Sequence, residues 1–129
     1  MNDRSTALHS IRLQKLGQIK TDSTDTEKFQ NEVLRPILKF QNDIFLLIFK
    51  DYLSKYSKDF SNKKQDQKVA FVQHTFQKDQ KFKTLNIGFV IGLMTLEELQ
   101  IFQENKSEYN RRITNMITER IIDQVQFFG

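Results

Sequence analysis

Apolar positions along this chain recur at spacings of three and four, the period of a helix with one buried face. Thr24 followed by Glu27 has capping-box spacing, which predicts a helix starting near Asp25. It should run towards Tyr56 with one interruption at Pro36, which lacks a backbone donor and disfavours helix at Arg35: either a kink, or a short helix followed by a longer one with Pro36 in its first turn. From Ile37 to Tyr56 apolar residues cover most of the circumference, the mark of a helix at the centre of a bundle. A loop over "YSKDFSNKKQ" follows, with Ser61 as its expected N-cap, then a helix carrying Val69, Val72 and Phe76. Thr95 and Glu98 form a second capping-box pair and predict a short helix over Leu96 to Glu104. The last helix should run from Ser107 or Glu108 to Phe128, with Tyr109, Ile113, Met116, Ile117, Ile121, Val125 and Phe128 on one side. Before all of these, Leu8, Ile11, Leu16 and Ile19 make a loose stripe broken by Gly17, so residues 1–23 read as an N-terminal arm or short helix. The expected architecture is all-α: residues 24–129 form one compact bundle of five or six helices around a central helix at about 36–56.

Composition supports this class and narrows little else. One proline and four glycines are too few for the turns an all-β chain of 129 residues needs. With no cysteine, disulfides and thiolate metal sites are excluded, which fits a reducing, cytoplasmic compartment. No apolar run approaches the ~20 residues of a spanning helix, and the N-terminus lacks a signal-type apolar core. Net charge is +4, mildly basic.

One segment resists this easy reading. "LNIGFVIGLM", Leu85 to Met94, sets Gly88 and Gly92 four apart among apolar residues. A short helix is the preferred assignment, with a buried strand through Phe89, Val90 and Ile91 as the alternative. On a helix the two glycines share one bare strip, which predicts close packing of another backbone there, although Gly92 also suits a C-cap.

Candidate chemistry is sparse. His9 and His74 have neither Glu-x-x-His nor His-Glu-x-x-His context, and His74 falls on the polar side of its helix. Phosphate-loop and nucleophile-elbow motifs are absent. No catalytic residue, metal ligand or cofactor site is therefore assigned. The informative positions are polar residues on apolar faces: Gln41 in the 37–56 helix, Arg120 and Gln124 in the last helix, and Asn110 near its edge. A charge on a core face needs a partner or a wet cavity. Arg120 is thus read either as snorkelling or in a structural ion pair, or as part of a polar pocket or interface with Gln41, Gln124 and Asn110. Arg111, Arg112 and Arg120 with Lys78, Lys81 and Lys83 offer a basic surface for phosphates, opposed by interleaved Glu108, Glu119 and Asp123.

The segments "LRPILKFQNDIFLLIF", "QKDQKFK", "IGFVIGLMT" and "YNRRITNMITERI" resemble a small family of uncharacterised bacterial all-helical proteins, sometimes labelled "glyoxalase". The resemblance spans most of residues 25–128 and implies a helical fold with no established active site. The label itself is unsupported by the residues, since both known glyoxalase architectures bind metal through motifs missing here. Three functions compete. The leading one is a non-enzymatic protein-interaction module, most simply a homodimer. The second is a ligand-binding or enzymatic bundle with a Phe-lined pocket holding Gln41, Arg120 and Gln124. The third and least favoured is weak nucleic-acid binding.

Overall fold

The computed structural model describes residues 2–12 and 24–129. The distal half of the predicted N-terminal stripe, Leu16, Gly17 and Ile19, lies outside them. Helix α1 (Asn2–Ile11) precedes the main domain. In that domain, α2 (Asp25–Phe29), a π-helical turn (Gln30–Leu34) and α3 (Arg35–Phe40) form one interrupted rod. Helix α4 (Asn42–Tyr56), a 3-10 turn (Phe60–Asn62), α5 (Gln65–Lys78), α6 (Gln80–Ile91), α7 (Leu96–Glu104), α8 (Lys106–Asp123) and a final 3-10 turn (Val125–Phe128) follow. Counting the rod once gives six helices within residues 24–129 and α1 before them, and no strand occurs among the described residues. The all-α bundle is therefore the fold, and Phe89 to Ile91 are helical.

Local chemistry explains most boundaries. Thr24 Oγ1 accepts the Glu27 N–H at 3.1 Å. Thr95 and Glu98 close a full capping box, with Glu98 N–H donating to Thr95 Oγ1 (3.1 Å) and Thr95 N–H to Glu98 Oε1 (2.9 Å). Asp79 caps α6 by accepting the Phe82 N–H at 3.0 Å.

Three boundaries differ from expectation in part. Pro36 stands in the first turn of α3, one of the two expected arrangements, and does not kink the rod at Arg35, which stays helical at φ −59°, ψ −48°. The chain instead widens into the π turn, where Arg35 N–H donates to Gln30 C=O five residues back, relieving the crowding around the proline ring. The true break is at Gln41 (φ −89°, ψ 6°). Helix α5 begins after Lys64 rather than Ser61, because Phe60 is buried in the core and draws 60–62 into a separate turn. Helix α8 stops at Gln124 (φ −116°, ψ 23°), and Val125 packs inward from the terminal turn.

The core is aromatic. Phe49 sits fully buried among Tyr52, Phe60, Phe76, Phe82 and Phe128, with ring centroids 5.2–6.3 Å away. Helix α8 packs against α4, α5, α6 and α7 through buried Ile113, Ile117 and Ile121. The centre of the bundle thus lies along α8 as much as α4, and α4 leaves one side uncovered.

Candidate functional site

Arg120 and Gln124 do come together, but with Asn42 and not with Gln41. Gln124 and Asn42 exchange amide hydrogen bonds: Gln124 Nε2 donates to Asn42 Oδ1 (2.8 Å) and Asn42 Nδ2 to Gln124 Oε1 (2.9 Å). Arg120 Nη1 donates to the same Asn42 oxygen at 3.3 Å. Gln41 stands at the break between α3 and α4, where its amide nitrogen donates to Phe89 C=O at 3.0 Å. The wheel failed for Gln41 because the helix does not continue through it.

Arg120 and Gln124 line a cleft of about 380 Å³ between the 25–40 rod and α8, with Gln30, Arg35, Leu38, Met116, Glu119 and Asp123. Its apolar wall is Leu38 and Met116, with no phenylalanine. Among the described residues, no carboxylate lies within ion-pairing distance of Arg120 or Arg35. Burial lowers the Arg120 pKa below its ordinary value; the neighbouring Arg35 charge adds to the effect and Asp123 opposes it. Two guanidinium groups and two carboxylates, Glu119 and Asp123, thus line the cleft, and neither guanidinium is in an ion pair among the described residues.

Asn110 belongs elsewhere. It lines a cleft of about 520 Å³ between α5, α6 and α8, with Lys83, Ile87, Arg111 and Thr114 among its neighbours. Its Oδ1 and that of fully buried Asn86 have no hydrogen-bond partner among the described residues. A third cleft, about 440 Å³, holds Tyr52, Tyr56, Phe71, His74, Lys78 and Lys81. Tyr52 donates its hydroxyl to Asp79 at 2.8 Å, and burial, with this carboxylate beside it, pushes its pKa up to about 12. His74 is exposed, as its helical position predicts. The basic residues are therefore dispersed: Lys78 and Lys81 in one cleft, Lys83 and Arg111 in another, Arg120 in the first. Glu108 pairs with both Arg111 and Arg112 at 2.7 Å, which holds its pKa at about 2. Among the described residues no three His, Asp or Glu side chains converge as a metal site, and no helix is long and apolar enough to cross a membrane.

An ion pair that periodicity did not disclose ties α1 to the domain. Arg12, only 6% exposed, meets Glu98 through two bonds, Nη1 to Oε1 at 2.6 Å and Nη2 to Oε2 at 3.0 Å. Arg12 also donates to Leu93 C=O (3.2 Å), while Arg4 donates to Gly92 C=O (3.1 Å) and Met94 C=O (3.2 Å). Two arginines thus cover the carbonyl-rich end of α6, where positive charge is favoured. Leu8 is buried alongside. The available signal was Glu98 itself, a capping-box acid with one oxygen to spare.

Burial pushes the Glu98 pKa up, but the bonds from Arg12 and Thr95 and the Arg12 and His9 charges outweigh it and hold it below its ordinary 4.5. A depressed folded value means that this stabilisation is present above pH 4.5 and is lost as pH falls through the folded value. The urea midpoint should therefore fall between about pH 4.5 and pH 2, with a shallower fall in Glu98→Gln. Equal slopes for the two proteins would remove Glu98 from the acid response.

The glycine strip is the last feature. Phe45 faces Phe89 (6.3 Å between ring centroids), Tyr52 faces Phe82 (4.3 Å) and Tyr52 reaches Asp79, so α4 and α6 run antiparallel. At ~100° per residue, Ile44 and Leu47 fall on the α4 edge away from buried Phe49 and Leu53. By the same step, Leu85, Gly88 and Gly92 fall on the α6 edge away from buried Asn86 and Val90. These edges flank the same contact and form one outer surface. Ile44, Leu47 and Leu85 are 41–56% exposed. Among the described residues, a Cβ at Gly88 would meet nothing within 4 Å, and one at Gly92 would meet only the Gly88 C=O at 3.3 Å. Gly92 is the α6 C-cap, in right-handed geometry (φ −60°, ψ −17°).

No family model, curated protein or solved structure matches this chain.

Proposed function

We propose that this protein is a non-enzymatic helical interaction module of the cytoplasm that associates with a second copy of itself through the outer α4–α6 face. The observation that carries the reading is the set of exposed apolar side chains Ile44 and Leu47 on α4 and Leu85 on α6, beside Gly88, where no described residue comes within 4 Å of an added Cβ. Exposed Leu and Phe residues are ordinary singly; several on one surface mark a contact. Gly88 costs roughly 1 kcal/mol against alanine in a helix interior, and nothing among the described residues offsets that. A backbone arriving from outside would. The exposed charges of α4 and α6 include both signs, Asp43 and Asp51 with Lys50, Lys55 and Lys81, as a self-complementary surface requires. The dispersed cations weaken the nucleic-acid reading, and the resemblance to helical proteins without an established active site agrees with a binding role.

Light scattering coupled to size exclusion should give a dimer that Leu47→Lys and Gly88→Leu convert to a monomer with unchanged helicity. Gly88→Ala should raise the monomer's stability in urea by about 1 kcal/mol. A wild-type monomer at about 100 μM, or a dimer indifferent to both disruptive substitutions, would overturn this reading.

A further inference from the structure

We propose that the cleft between the 25–40 rod and α8 is a binding site for a small monocarboxylate with a short aliphatic tail. The proposal is independent of the self-association above.

Three observations carry it. First, Arg120 is half-buried and its guanidinium is oriented by Asn42, itself locked by the reciprocal amide pair with Gln124. Arg35 is held from the other wall, with Nε donating to Asn31 Oδ1 at 2.8 Å. Its two terminal nitrogens remain available. Gln30 accepts from Arg112 Nη1 at 2.8 Å, which leaves its own amide nitrogen as a further donor in the cleft. The site therefore presents donors and positive charge, the complement of a planar carboxylate.

Second, two like charges sharing a cleft repel each other in the empty protein, and an anion between them relieves that repulsion.

Third, the remaining lining selects within the anions. Leu38 and Met116 give an apolar wall for a short hydrocarbon tail. Glu119 and Asp123, one before and three after Arg120, are exposed side chains of the same lining. Two negative charges there tolerate a monoanion between the arginines and disfavour a dianion or polyanion, a form of discrimination by repulsion. A phosphate ester or a nucleic-acid strand thus fits this cleft less well than a carboxylate.

The test is a titration of the full chain with sodium butyrate at constant ionic strength, followed by amide chemical shifts. Sodium phosphate and n-butylammonium chloride are the comparison ligands. Butyrate should give saturable shifts confined to the rod and α8, with a midpoint on the order of 1–10 mM, as expected for so small a ligand. Arg120→Gln and Arg35→Gln should each weaken binding at least about tenfold, the size expected for loss of a charged hydrogen bond. If Arg120→Gln disturbs the fold, Arg35→Gln, on an exposed side chain, still decides the matter. Non-saturable shifts, equal binding of butylammonium, or butyrate binding unchanged in both variants would overturn the site. Phosphate binding as tight as butyrate would overturn the assigned ligand class.

Discussion

Replacing Phe49 by alanine should lower the unfolding free energy by about 3–5 kcal/mol and the thermal midpoint by roughly 10–20 °C. The reason is positional. Phe49 is fully buried, and five aromatic rings, from α4, α5, α6 and the two 3-10 turns, lie with centroids 5.2–6.3 Å from its own. Truncation removes the transfer energy of one ring and leaves a void that five separate elements must collapse to fill. Domains of this size are stable by about 5–15 kcal/mol in total, so one side chain accounts for a large share. Phe127 is the comparison: about half exposed, it contacts Phe128 and Lys50, and its alanine variant should stay within about 1 kcal/mol of wild type. Circular-dichroism melts of both variants check the claim. A Phe49→Ala loss under about 1 kcal/mol would mean that the rings do not form a single packed unit.

The second large effect belongs to Glu98. One carboxylate caps α7 through Thr95 N–H and pairs with nearly buried Arg12. Glu98→Ala removes both at once. Loss of the cap costs about 1 kcal/mol, and an arginine stranded in a buried position costs about 3–5 kcal/mol. The chain has an escape, because α1 can lift away and return Arg12 to water. The expected outcome is therefore uneven. Amides of α1 should lose nearly all protection from hydrogen exchange, while those of α8 lose only what the missing cap dictates. Uniform loss of protection across the whole chain, or retained protection in α1, would contradict this account.

The fold was largely legible because the forces that set it are periodic and local. Capping boxes at Thr24 and Thr95 and the 3.6-residue recurrence of isoleucines in α8 need no tertiary knowledge. Gln41 shows where this stops. A helical wheel assumes an unbroken helix, and the break that gave Gln41 its own bond to Phe89 comes from the joining of two rods, not from Gln41 itself. The site was half legible for the same reason. Arg120 and Gln124 share a helix end, so their proximity follows from spacing; Arg35 and Asn42 come from elements that meet them only after folding. Arg12 and Glu98 are 86 positions apart, beyond any local pattern. The glycine strip was recognisable as unusual, but only the packed structure shows that no described residue comes within 4 Å of an added Cβ at Gly88.

The π turn before Pro36 also constrains how this rod can change length. A π turn holds one residue more than an α turn, so Gln30–Leu34 acts as a single-residue insertion inside a helix. Deleting one residue there would restore α geometry and set the Pro36 ring against a carbonyl four residues back. It would also rotate everything upstream by about 100°. Phe29, whose ring centroid lies 4.5 Å from that of Tyr109, would swing off α8 and lose that contact. The extra residue is thus a phase setting: it accommodates the proline and keeps the first turn of the domain in register with the last helix.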